Sequence, residues 1–110
     1  MSNELCLVYV TTKDTEQAKS ISKHLLEKKL VACSNILPQM SAHHFWDNTF
    51  EEGNECVLLL KTAKKLFDKL ETEIETLHSY DCPCIFSVPI SNCSKKYKQW
   101  LLSQLGESND

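Results

Sequence analysis

Glu55-Cys56-Val57-Leu58-Leu59-Leu60-Lys61 decides the fold. An apolar run closed by a charge at each end reads as a buried strand. Side chains alternate along a strand, so an unbroken run places apolar groups on both faces of its sheet. Leu5 to Val10 (LCLVYV) has the same character. A chain of 110 residues argues for one domain, 1–110, with an ordered core over about 4–105.

Between these strands, Asp14 can cap a helix, with Gln17 at the capping-box position. Ala18, Ile21, Leu25, Leu26 and Leu30 recur at helical spacing. Val31 to Leu37 returns to strand character, and Pro38 makes that strand an edge or a bulged one. The extended stretch resumes through Ala42-His43-His44-Phe45-Trp46. Asp47-Asn48 then reads as a tight hairpin turn.

Beyond Lys61, Thr62 reads as the cap of a second helix carrying Leu66, Leu70, Ile74 and Leu77. That helix ends near His78-Ser79-Tyr80, with Pro83 past its end. Ile85 to Ile90 is the last full strand, with Pro89 near its close. Ser94 caps a short final helix with Tyr97, Trp100, Leu101 and Leu105. Gly106 stops it, and Glu107 to Asp110 are expected to fray. The order β-α-β-β-α-β-α predicts an α+β fold, an antiparallel four-stranded sheet with helices on one face in the split β-α-β arrangement. The other face then lacks helical cover, and another subunit is the simplest cover.

Composition excludes several functions. The net charge of -3 gives no electrostatic reason to bind nucleic acid or an anionic membrane. Every basic residue is Lys, so no forked guanidinium can clamp a phosphate. Gly53 and Gly106 are the two glycines, too few for a phosphate cradle or dinucleotide fingerprint, and no organic cofactor is expected. No signal-peptide pattern precedes Leu5 and no run reaches spanning length, so the expected location is cytoplasmic. There the six cysteines (Cys6, Cys33, Cys56, Cys82, Cys84, Cys93) should be thiols, most of them small buried hydrophobes.

Five motifs stand in order. Ala32-Cys33-Ser34-Asn35-Ile36-Leu37-Pro38 fits A-C-x-N-x-x-P. Phe45-Trp46-Asp47-Asn48 is an aromatic-Trp-acidic hairpin. Glu55 runs through to Lys61-Thr62. His78-x-Tyr80-x-x-Pro83 and Tyr97-x-x-Trp100 complete the set. Together they resemble the CutA divalent-cation-tolerance family from about residue 7 to residue 102. The resemblance implies a ferredoxin-like subunit with an extra C-terminal helix, assembled as a homotrimer like PII signalling proteins. It implies a long second strand whose hairpin reaches neighbouring subunits. It implies binding and tolerance of a divalent cation, copper(II) above all, and no enzymatic activity. The alternative is a PII-like signalling or scaffold module, taking a small molecule or protein partner at inter-subunit clefts.

The matched positions Cys33, Trp46, Glu55, Lys61, Tyr80, Tyr97 and Trp100 are the candidates for an inter-subunit pocket. His78, Cys82 and Cys84 are the candidate metal ligands, since imidazole and thiolate suit copper and zinc. The competing reading is a helix-stop turn with packed thiols. A third reading is a thiol-reactive sensor at Cys82 and Cys84. Asn48 stands where the family has Gly, Cys84 where it has an acidic residue, and Cys93 where it has Gly. Val10 and Leu77 occupy places where some members carry Cys and His. His43-His44 cannot easily chelate one ion as neighbours on a strand, because they face opposite ways; one His per subunit can converge about a trimer axis, and the competing reading is solvated or hairpin-packing histidines. No G-x-S-x-G or H-E-x-x-H motif is present.

Overall fold

A computed structural model describes residues 3–106. The elements are β1 (Leu5–Thr12), α1 (Thr15–Glu27), β2 (Cys33–Trp46), β3 (Thr49–Ala63), α2 (Phe67–Leu77), β4 (Ile85–Ile90) and α3 (Lys95–Ser103), with a 3-10 turn at Lys64–Leu66 before α2. The sheet is antiparallel in the order β2-β3-β1-β4, so the two apolar runs are its central strands. Pro38 and Pro89 both fall on edge strands, where a missing N–H is tolerated. The expected fraying of Glu107 to Asp110 lies outside the described residues.

Parity sorts the core. Cys6, Val8, Val10 and Thr12 pair with Thr62, Leu60, Leu58 and Cys56, and all eight are buried. They face Ala18, Ile21 and Leu25 of α1 and Leu70 and Ile74 of α2. Alternate residues point to the second face. There Leu5 and Ala63 are buried as a cross-strand pair, although their parity turns them from α1 and α2. Helix α3 lies at this end of β3. Its Leu101 and, just past its end, Leu105 join the core, it packs on β3, and Lys61 Nζ lies over the Tyr97 ring. The expectation of helices on one face only is therefore corrected: α3 caps one end of the second face. The remainder, Leu37, Phe86 and Val88, stays exposed beside half-buried Tyr9 and Leu59.

Local signals act largely as the chemistry demands. Asp14 Oδ1 accepts from Gln17 N–H at 2.8 Å, and the Gln17 side chain answers by accepting from Lys13 N–H at 3.2 Å. Helix α1 closes with Leu30 N–H to Leu25 O and Lys29 N–H to Leu26 O, with Lys29 at φ 58 where glycine is usual. Asp47 and Asn48 both take positive φ, 51 and 65, the two-residue turn that matches strand twist. Ser94 Oγ accepts from Tyr97 N–H. Thr62 is no helix cap. It lies in β3, fully buried, and its hydroxyl donates to Leu30 O at 2.6 Å.

Strands β2 and β3 outrun the sheet. β1 pairs with Cys56 to Ala63 alone, leaving Thr49 to Glu55 paired only with β2 beyond a register shift between Leu37 and Met40. These seven residues reach about 24 Å at 3.4 Å per residue. The result is a two-stranded arm projecting from the sheet, and the subunit with its arm measures 47 × 26 × 22 Å.

Candidate functional site

The motif residues gather into two corners and one arm tip. The first corner forms where α2 ends. His78 closes the helix, its N–H bonded to Ile74 O, and the chain turns back under β1 and β3. His78 Nε2 lies 2.7 Å from Thr11 O, and Tyr80 N–H donates to Nδ1 at 3.1 Å. A carbonyl only accepts and an amide N–H only donates, so His78 is neutral with its proton on Nε2. The two rings lie 4.7 Å apart. Tyr80 then donates its hydroxyl to Glu55 Oε2 at 2.7 Å. Burial of the phenol, with the Glu55 carboxylate beside it, pushes the Tyr80 pKa up to about 12.

This corner does not fit the expected metal set. Both imidazole nitrogens of His78 are engaged inside the chain. Cys82 and Cys84 are exposed rather than packed, which also corrects the reading of them as buried thiols. Partial burial of its sulfur, and then the Glu55 charge, raise the pKa of Cys84, disfavouring the thiolate that binds metals or attacks electrophiles. Among the described residues, no three His, Cys, Asp or Glu side chains gather around a common ion position. Cys6 and Cys56 are buried as read from sequence, while Cys33 and Cys93 are half-buried.

The second corner lies at the other end of β3. Lys61 Nζ stands 5.5 Å from the Tyr97 ring centre, and Tyr97 stacks on Trp100 at 5.7 Å. Cys33 faces Lys61 across the strands. Glu55 and Lys61 share a sheet face as expected, but six residues of strand separate them by about 20 Å. They do not form one pocket within a subunit. Trp46 sits at the arm tip, 67% exposed, apart from both corners.

Two features escaped the motif reading. A cleft of about 250 Å³ opens between the start of α1 and the bulge, lined by Lys13, Asp14, Thr15, Gln39, Asn54 and Glu55. On the second face, Tyr9 stacks on Phe86 at 5.0 Å and its hydroxyl reaches Met40 Sδ at 3.7 Å. The alternation in LCLVYV signalled the face, but not that β4 would place Phe86 upon it.

Comparison with known proteins agrees with this geometry. The Archaeoglobus fulgidus divalent-cation tolerance protein CutA is 36% identical over 94 residues, 86% of this chain and 91% of that protein. Rice protein CutA 1, chloroplastic, is 32% identical over 102 residues, 93% of this chain and 58% of that protein. The solved structure of the periplasmic divalent cation tolerance protein CutA from A. fulgidus superposes with a TM-score of 0.88 at 33% identity, covering 91% of this chain and 97% of that one. These relatives overturn the cytoplasmic expectation, since they are named as periplasmic and chloroplastic. The thiol state inferred from a cytosolic location loses its basis with it. The profile of the CutA1 divalent ion tolerance protein matches residues 6–104, and the chain belongs to that family.

Proposed function

We propose that this protein is a homotrimer, acting as one domain per chain, that contributes to divalent-cation tolerance by binding the ion rather than by catalysis. The observation that carries the assembly is the uncovered second face. Leu37, Phe86 and Val88 are 52, 48 and 44% exposed there, and the arm adds Phe45, Trp46 and Phe50. A two-stranded ribbon is marginal alone in water, so an arm of this length calls for a partner surface. A second copy offers the same apolar face, and a closed ring of copies leaves none of it bare.

Assembly also brings Trp46, the matched residue at the arm tip, against one of the two corners. The arm carries Trp46 about 24 Å beyond the sheet. It can join the Glu55–Tyr80 corner or the Lys61–Tyr97–Trp100 corner only across a subunit boundary. The cation reading is supported by the names of the family and its relatives. Copper(II) and zinc are the ions to try first, as imidazole and carboxylate groups suit both.

Native mass spectrometry of the reduced protein, titrated with Cu²⁺ and Zn²⁺, tests both halves. A trimer taking up about one ion per subunit is expected. His78→Ala should leave uptake intact, because that imidazole is engaged in the fold. A trimer that takes neither ion would end the cation reading. A second reading, a signalling or scaffold module, draws on the cleft beside Glu55 and on Val10 and Leu77 in place of metal-binding side chains. Ligand capture by the metal-free trimer would favour it.

A further inference from the structure

The histidines stand in different surroundings. His24 bonds to Glu73 at 2.7 Å, and His78 has both nitrogens engaged. His43, on the arm, is poised otherwise. Its Nε2 lies 2.8 Å from Ser41 Oγ and 3.7 Å from Oε1 of Glu52, its partner across the strands. The longer distance exceeds a hydrogen bond. It is close to the roughly 3.4 Å that separates two donors bound at 2.0–2.1 Å to one tetrahedral ion. Strand register fixes the pair, and the His43 ring leans on Phe50 at 5.6 Å, which meets Phe45 edge-on. Both side chains are more than half exposed, leaving coordination positions open to water or to a neighbouring copy.

The surrounding charge favours a cation. From Leu30 to Leu60 there is no Lys or Arg, while Asp47, Glu51, Glu52 and Glu55 carry carboxylates. We propose that His43 Nε2 and Glu52 Oε1 form a divalent transition-metal site on the arm, with water completing the shell. The proposal rests on the cation reading above and moves the ion away from the corner of His78, Cys82 and Cys84. Imidazole nitrogen with carboxylate oxygen suits Zn²⁺, Ni²⁺ or Cu²⁺. On binding, the His43 proton resides on Nδ1, and Ser41 Oγ gives up its contact with Nε2.

Isothermal titration of the full-length protein with Ni²⁺, which does not oxidise thiols, tests the site. His43→Gln and Glu52→Gln should each weaken Ni²⁺ binding by about tenfold or more. His44→Gln, on the opposite face of the arm, should leave it unchanged, with circular dichroism confirming that every variant folds. Wild-type affinity in His43→Gln would overturn the site and leave the cation reading standing. Absence of Ni²⁺ binding in the wild type would overturn the site too, and the cation reading falls only if Cu²⁺ and Zn²⁺ also fail.

Discussion

The hairpin of β2 and β3 is one continuous ribbon whose halves live by different rules. In the body, Cys56, Leu58 and Leu60 are fully buried between β1, β2 and the helices. In the arm, Thr49 to Asn54 are exposed throughout and pair with β2 alone. Backbone pairing is the same in both. Cover differs, and cover supplies most of the stability of a strand. The body is covered by its own chain, whereas the arm and much of the second face are not.

The largest effect should come from the body. Leu58→Ala leaves a cavity where no atom was exposed and should cost about 2–5 kcal/mol, read by urea denaturation. An equal loss from Phe50→Ala in the isolated subunit would erase the distinction between the halves.

Phe86→Asp on the second face should act on assembly. A carboxylate placed against apolar surface cannot be solvated or paired. Light scattering should find monomer at micromolar concentration. An intact oligomer would mean that the interface lies elsewhere.

A smaller effect is expected at the junction of the halves, where Tyr80 holds Glu55. Tyr80→Phe removes one charge-assisted hydrogen bond and should cost about 1 kcal/mol. The pH dependence has a definite sign. The folded Tyr80 pKa is about 12 against an ordinary value of 10.0, so its contribution is fully present below pH 10 and is lost as pH rises towards 12. Ultraviolet titration of Glu55→Gln should bring the phenol back towards its ordinary value.

The smallest change belongs to the arm tip. Asn48→Gly relieves a positive φ of 65 and should shift stability by less than about 1 kcal/mol. A large gain in melting temperature would show the arm to be part of the cooperative core.

Much of the fold was legible from residues alone. Asp14 with Gln17, the Asp47-Asn48 turn, Ser94, and the span Ile85–Ile90 each rest on a local rule, and local rules were obeyed. Thr62 followed a rule that tertiary structure overrode: its hydroxyl found Leu30 O across the strands before a helix could use it. The seven residues before Cys56 hold Glu, Gly and Asn, weak strand formers, and are extended because β2 runs opposite them. The site was less legible. Motif spacing cannot say that both His78 nitrogens are engaged, because Thr11 is 67 residues away in sequence. Nor can it say that Glu55 and Lys61, alike in parity, end on separate corners.

The central claim is that the uncovered face and arm are completed by copies of the same chain. Native mass spectrometry of the reduced, metal-free protein at micromolar concentration tests it most directly. Three chains per particle is the predicted result. A stable, folded monomer would contradict it.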